Sequence, residues 1–302
     1  MPVRKWGENL YSNIDWDAIT IKNNFLFQET LRNKSLCKQL LERVLHIQVK
    51  TIRYMETEKT MKAQLSSKNT RLDVYVEDKD GNVADIEMQT TDTKSVINYD
   101  ERDEKTIIRE LPLRTRYYQN IIGTNMLRKG MHYRELKKAY VIFICTFDPF
   151  GAGLPVYHFT YRCKEDCNLQ MGDLTENIFL NVKAADKTDD EELAAFLRYV
   201  NGQRATTSFT RMLDKEATRI RNNDDWRLKA MTLDMEIQDM KKRIAKRERE
   251  KAKKEKTIEI AKKMLVAGED IDKIVLFTDL TKDEVTALAW TLALCRIKCA
   301  KI

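Results

Sequence analysis

The chain has 302 residues, 42% of them hydrophobic and 33% charged, with 54 Lys and Arg against 47 Asp and Glu for a net charge of +7. That length carries one large domain with an appendage or two domains, and the mild positive balance favours an anionic partner without naming one. No segment is apolar for long enough to span a bilayer, "MPVRKWGENLYSNIDWD" lacks the apolar core of a secretory signal, and the six cysteines are scattered; the expectation is a cytoplasmic protein with free thiols and no membrane contact.

In chain order, "NNFLFQETLRNKSLCKQLLERVLHI" spaces Phe25, Phe27, Leu31, Leu36, Leu40, Leu41, Val44 and Leu45 by threes and fours and predicts a helix after a polar loop. "KTIRYMETEKTM" predicts a first strand and "LSSKNT" a loop. "RLDVYVEDKDGNVADIEMQ", Arg71 to Gln89, alternates apolar and polar residues on both sides of a Gly-containing turn, the pattern of a β-hairpin. "TTDTKSVINYDERDEKT" is polar and irregular at its start. "IIRELPLRTRYYQNIIGTNMLRKG" predicts a helix in its later part, with Pro112 at a break or in the first turn and Gly130 just past the end. "AYVIFICTF" is apolar throughout and reads as a central strand buried on both faces. "DPFGAGLP" is a loop, "VYHFTYRC" returns as a strand forming a long-looped hairpin with the previous one, and "NIFLNVKA" is a further strand.

From Asp190 the texture is helical. Lys241–Lys256 is dominated by Lys and Arg, and reads as a solvated linking helix or a surface for the DNA backbone. In "AGEDIDKIVLFTDLTKDEVTALA", Gly268 ends one helix, Asp279 sits at a turn, and Thr281 with Glu284 forms a capping box for the last helix. This has the outline of a helix-turn-helix; a small packing or oligomerisation hairpin is the preferred reading. The order of helix, strands, helix, strands, helices points to a mixed sheet with helices around it.

The hairpin carries the chemistry. A three-residue loop Lys79-Asp80-Gly81, with Gly81 left-handed, makes Asp78 face Asn82, Tyr75 face Asp85 and Asp73 face Glu87, with Gln89 on the same side. Leu72, Val74, Val76, Ala84, Ile86 and Met88 take the other side, against the core. A two-residue loop would put Asp73 opposite Met88 and an acid on the core face, so the burial pattern selects the longer loop. Directly opposed acids lie about 5 Å apart at Cβ and repel. A bound cation, a neighbouring Arg or Lys, or a proton must compensate, and hard carboxylate oxygens suit Mg²⁺ or Mn²⁺. The competing reading is a solvated face balanced by Arg71 and nearby lysines.

The spacing D-x13-E-x-Q on a hairpin resembles the PD-(D/E)XK nuclease signature, with Gln in the place of Lys. "RLDVYVEDKDGNVADIEMQ", "RTRYYQNIIGTNMLRKGMHYRELKKAYVIFICTFDPFGAGLPVYHF" and "FLNVKAADKTDDEELAAFLRYV" together resemble the bacterial PD-(D/E)XK nuclease family transposases, over roughly Asn13 to Asn223. The resemblance implies an α/β, restriction-endonuclease-like fold, a central mixed sheet flanked by helices, over residues 1–223, with an α-helical basic C-terminal extension over residues 224–302. It implies metal-dependent DNA endonuclease activity, with Asp73, Glu87 and Gln89 catalytic and Mg²⁺ (or Mn²⁺) held by Asp73, Glu87 and the carbonyl of Met88. DNA is the expected partner, with a homo-oligomer left open. Two departures, Gln89 for Lys and Asn24 where relatives carry an acid, keep an alternative alive: an impaired nuclease fold acting by DNA binding. Glu29 is a substitute acid out of register. Arg114, Arg116 and Tyr117 interleave cations and aromatics in the way DNA contact asks for. Cys163-x3-Cys167 and Cys295-x3-Cys299 lack zinc-ribbon spacing, and zinc is rejected.

Overall fold

A computed structural model describes residues 16, 18–61, 70–98, 105–127, 129–278 and 280–299. It forms two compact units, Asn13–Ala230 and a second that covers Met231–Ile302. The "LSSKNT" loop up to residue 69, the turn at Asp279 and the side chains of Cys295 and Cys299 lie outside the described residues.

The first apolar-periodic stretch makes two helices rather than one: α1 (Asn24–Leu31) and α2 (Lys34–Leu45). The break has a local cause. Asn33 Oδ1 accepts from the amides of Ser35 (3.1 Å) and Leu36 (3.4 Å), capping α2 where a continuous helix would need those amides for itself. Strands β1 (Ile52–Met61), β2 (Thr70–Asp78) and β3 (Val83–Gln89) run antiparallel, and β4 (Lys94–Asn98) and β5 (Lys105–Arg109) form a separate two-stranded sheet. Helix α3 (Glu110–Met126) follows, with Pro112 in its first turn. It stops at Leu127 in extended conformation; Gly130, at φ 90°, serves the next turn and does not cap the helix.

Strand β6 (Ala139–Cys145) is buried along its whole length, as its composition predicts, and pairs in parallel with both β3 and β8 (Thr175–Asn181). Strand β7 (Val156–Phe159) does not pair with β6. It lies antiparallel on the far side of β8, giving the order β1-β2-β3-β6-β8-β7. The reason is burial: Ile178, Phe179 and Leu180 of β8 are almost wholly covered, which an inner strand achieves, whereas β7 leaves Phe159 exposed and accepts the edge.

Both faces of the sheet are covered. Tyr75, Val83, Val141, Phe143, Cys145 and Phe179 point to the side of α3, where Leu111, Tyr118, Ile121 and Ile122 meet them. Val74, Val76, Ile86, Ile142, Ile144 and Leu180 alternate to the other side and are buried as well. There α1 and α2 run against β1 and β2, and α4 (Glu191–Val200) and α5 (Ser208–Arg221) pack on them. Helix α6 (Asp224–Val266) continues the chain. In the second unit its last turns form a small core with α7 (Ile271–Thr278) and α8 (Lys282–Cys299), built on Ala261, Ile274, Leu280 and Val285. The capping box is present: Glu284 Oε2 accepts from the Thr281 amide (3.0 Å) and Thr281 Oγ1 accepts from the Glu284 amide (3.2 Å). No described helix is long and apolar enough to cross a membrane.

Candidate active site

The hairpin has the register read from its sequence. Val74 faces Ile86 and Tyr75 faces Asp85. The loop closes with the Asp78 amide on Asn82 O (2.9 Å) and Gly81 at φ 85°. Asp78 Oδ1 holds the loop from inside, accepting from the amides of Asp80 (2.8 Å) and Asn82 (2.9 Å).

Beyond Val74 and Ile86 the backbone ladder gives way to side chains. Glu87 Oε1 accepts from the Asp73 amide (2.9 Å), and Asp73 Oδ2 accepts from the Met88 amide (3.2 Å). The two carboxylates therefore accept from backbone amides of the facing strand where the backbone ladder ends. A strand residue's amide and carbonyl point to the same edge, so the Met88 carbonyl is turned to this gap too. Asp73 Oδ1 accepts a further bond from Gln28 Nε2 of α1 (2.8 Å).

The acids are not solvated. Asp73 is 8% exposed, Glu87 3% and Asp85 0%, which removes the reading of an open polar face. The compensating cation comes from α3. Arg114 Nη1 donates to Gln89 Oε1 (2.8 Å), while Nη2 donates to Glu87 Oε2 (3.3 Å) and to the Tyr118 hydroxyl (3.0 Å). Gln89 Nε2 donates to Thr91 O (2.6 Å), which fixes the amide from its other end. Burial, reinforced by the charge of Asp73, pushes the Glu87 carboxyl up to about 8. Burial and the neighbouring acids also hold Asp85 well above the usual carboxylate range, against the pull of Arg114. Both Asp85 oxygens are buried without a hydrogen-bond partner.

Asp73, Glu87, Met88, Gln89 and Arg114 thus come together, while the other residues singled out by sequence lie elsewhere. Arg116 is exposed, and Tyr117 is partly buried against the hydrophobic core. Asn24 opens α1 and is exposed. Glu29 is buried but engaged by Arg32 (2.9 Å) and Lys229 (2.9 Å). Sequence reasoning missed Gln28 and the burial of Asp85. Gln28 stands four residues after Asn24, and a helical count from that position reaches it.

A hard divalent ion suits the donors present. Asp73 and Glu87 bring two carboxylates to the gap between the strands, and the Met88 carbonyl adds a neutral oxygen. Among the described residues no three His, Cys, Asp or Glu side chains converge on one point. Two carboxylates with water in the remaining positions is an arrangement Mg²⁺ accepts and a caged transition metal does not.

The chain matches the PD-(D/E)XK nuclease family transposases over residues 23–263. It belongs to that family. The sheet and its buried hairpin lie within the matched span, and PD-(D/E)XK nucleases generally use divalent metal ions. Residues 254–289 also match the C-terminal HTH domain of the Rpn/YhgA-like nuclease family. That match covers the end of α6, α7 and the start of α8, and replaces the packing-hairpin reading with a helix-turn-helix domain. No curated protein and no solved structure matches the chain.

Proposed function

We propose that this PD-(D/E)XK family member is a metal-dependent DNA endonuclease acting in recombination or mobile-element biology, hydrolysing phosphodiesters with Mg²⁺ or Mn²⁺ at Asp73, Glu87 and the Met88 carbonyl. The observation that carries the reading is the pairing of Asp73 and Glu87 at the point where β2 and β3 part, with Arg114 bridging Glu87 and Gln89. When bound, the ion polarises a phosphoryl oxygen and eases deprotonation of water.

The chain's own residues do the rest. The Asp73 amide, the Met88 amide and Gln28 hold both carboxylates in place before any ion arrives. Gln89, anchored at Thr91 O and at Arg114, orients the attacking water through its amide but cannot take its proton. A lysine at this position would supply charge as well; here Arg114 brings it from α3, with guanidinium donors that suit the anionic charge developing on the phosphate.

Catalysis is assigned to residues 1–223. The extension 224–302 is assigned to DNA contact, through its helix-turn-helix and the basic run 241–256, whose described residues are exposed. The buried thiols of Cys37 and Cys145, both pushed up to about 12 by burial, suit a reducing cytoplasm. A second reading, a DNA-binding protein on an impaired nuclease fold, draws on Gln89 being tied down at both ends of its amide.

Plasmid nicking with Mg²⁺, wild type against Asp73→Ala, separates the two. The nuclease reading expects cleavage only in the wild type. Equal cleavage by both proteins assigns the activity to another site or a contaminant, and absence of calorimetric ion binding by the wild type favours the second reading.

A further inference from the structure

Helix α3 lies over β6, with the acids under one flank and a groove along the other. Tyr118 stacks on Phe143 of β6 (ring centroids 6.0 Å), and Phe143 stacks on Phe179 of β8 (5.7 Å), so the helix is seated between the two sites. The groove has a volume of about 440 Å³, a size that admits a small organic ligand. Its wall and floor are aromatic. Phe150 meets Phe159 at 4.9 Å and Phe179 at 5.0 Å, while Phe159 and Tyr161 stay 44% and 54% exposed.

The wall is preformed. Asp148 accepts from the amides of Phe150 (3.1 Å), Gly151 (2.8 Å) and Gly153 (2.7 Å) and from the Tyr157 hydroxyl (2.6 Å), fixing the loop that carries Phe150. Gln119 is set by three acceptors of its amide nitrogen: Ala139 O (3.2 Å), Glu176 O (3.1 Å) and Asn177 Oδ1 (3.0 Å). Reversing that amide would oppose oxygen to oxygen, so its Oε1 stays buried and unpartnered. Arg116, on the rim, makes no side-chain hydrogen bond or ion pair among the described residues. The one acid of the lining, Asp173, is engaged by the Thr175 hydroxyl.

Exposed rings beside a free guanidinium match a nucleotide: a flat π-face and a phosphate. Only an unpaired base offers a free face to Phe159 and Tyr161, because in a duplex both faces are covered by neighbouring bases. Strand β8 is two strands from β3, on the order of 10 Å at sheet spacing. One DNA strand advances about 3.4 Å per nucleotide in a duplex, so the groove lies within a few nucleotides of the acids. We propose that this groove seats an unpaired nucleobase of the DNA substrate, stacked on Phe159 and Tyr161 with Arg116 at its phosphate. The proposal rests on the reading of the chain as a DNA-acting protein and sharpens its substrate class to single strands, frayed ends or bulges.

The test is fluorescence anisotropy of the full chain in EDTA, where cleavage cannot intervene, with a labelled oligo-dT and a blunt duplex of equal length. Phe159→Ala is expected to weaken oligo-dT binding about tenfold and to leave duplex binding unchanged, the size of one lost stack. Phe159→Trp is expected to keep oligo-dT affinity, and Arg116→Gln, at an exposed side chain, to lower it several-fold. Circular dichroism of each variant checks the fold. Equal losses on both DNAs, no loss with any variant, or no DNA binding by the wild type overturns the groove assignment. So does a concentration-dependent self-association abolished by Phe159→Ala with oligo-dT affinity intact, which makes the groove a contact between copies. Intact oligo-dT binding without Mg²⁺-dependent nicking counts against the nuclease reading alone.

Discussion

In the proposed site, where glutamine stands for the lysine of the signature, Arg114 supplies the positive charge beside Glu87 and Gln89. Its guanidinium lies 5.4 Å from the centroid of Phe143 and bonds Glu87, Gln89 and Tyr118, so it is oriented before substrate binds. Arg114→Ala is expected to lower kcat of Mg²⁺-dependent nicking by about 10²–10³-fold, the scale seen when one preorganised donor is lost, with KM little changed and Arg114→Lys recovering part of the rate. Glu87 sets a pH dependence of stability. Its folded carboxyl is raised to about 8 by burial and by Asp73, above the ordinary value near 4.5, so between these limits the folded state holds a proton that the unfolded state has released. Stability from this group is lost as pH rises through that window. Denaturant unfolding in EDTA is expected to show Glu87→Gln gaining on the wild type from pH 5 to pH 8; a constant difference would refute the assignment. The acids were legible in the sequence because alternation and turn length fix which residues share a face. The partners were not: Gln28 and Arg114 come from helices 45 and 27 positions away from the acids they bond, and only the packed sheet brings them together.

At the scale of elements, the hairpin register hangs on its loop. Gly81 sits at φ 85°, and a Cβ there would come 3.3 Å from Lys137 Cγ. Gly81→Ala is expected to cost about 1–2 kcal/mol in chemical denaturation, the price of a left-handed alanine, while leaving nicking by the folded fraction intact. Strand β6 and the hairpin follow from sequence because their patterns are strong: seven consecutive buried residues in one, strict alternation in the other. The order of strands did not follow. "VYHF" beside "AYVIFIC" in the chain suggested a hairpin, yet β8 enters between them, because pairing preference along a chain yields to the need of Ile178, Phe179 and Leu180 for cover on both edges. The break between α1 and α2 was equally hidden, since apolar spacing at threes and fours survives a capping Asn33 in its middle.

At the scale of the molecule, the acids, Arg114 and the groove all belong to the unit Asn13–Ala230, while the helix-turn-helix match lies in the other. A chain ending at Ala230 is expected to keep Mg²⁺-dependent nicking at low salt. Its DNA affinity should fall, and the slope of log K against log salt should become shallower as the basic helix is lost; an unchanged slope would place the phosphate contacts in the first unit. The parallel centre of the first unit has one more effect, on timing. Strand β6 pairs Val141 with Asp85 and with Asn177, partners far away along the chain, whereas β2 and β3 are joined by a tight loop. During synthesis the hairpin emerges first, with Asp73 and Glu87 still in water, and waits for α3, β6 and β8 before Arg114 closes over it. A half-made chain on the ribosome therefore carries the acids without the cation that completes them until the last inner strand has docked.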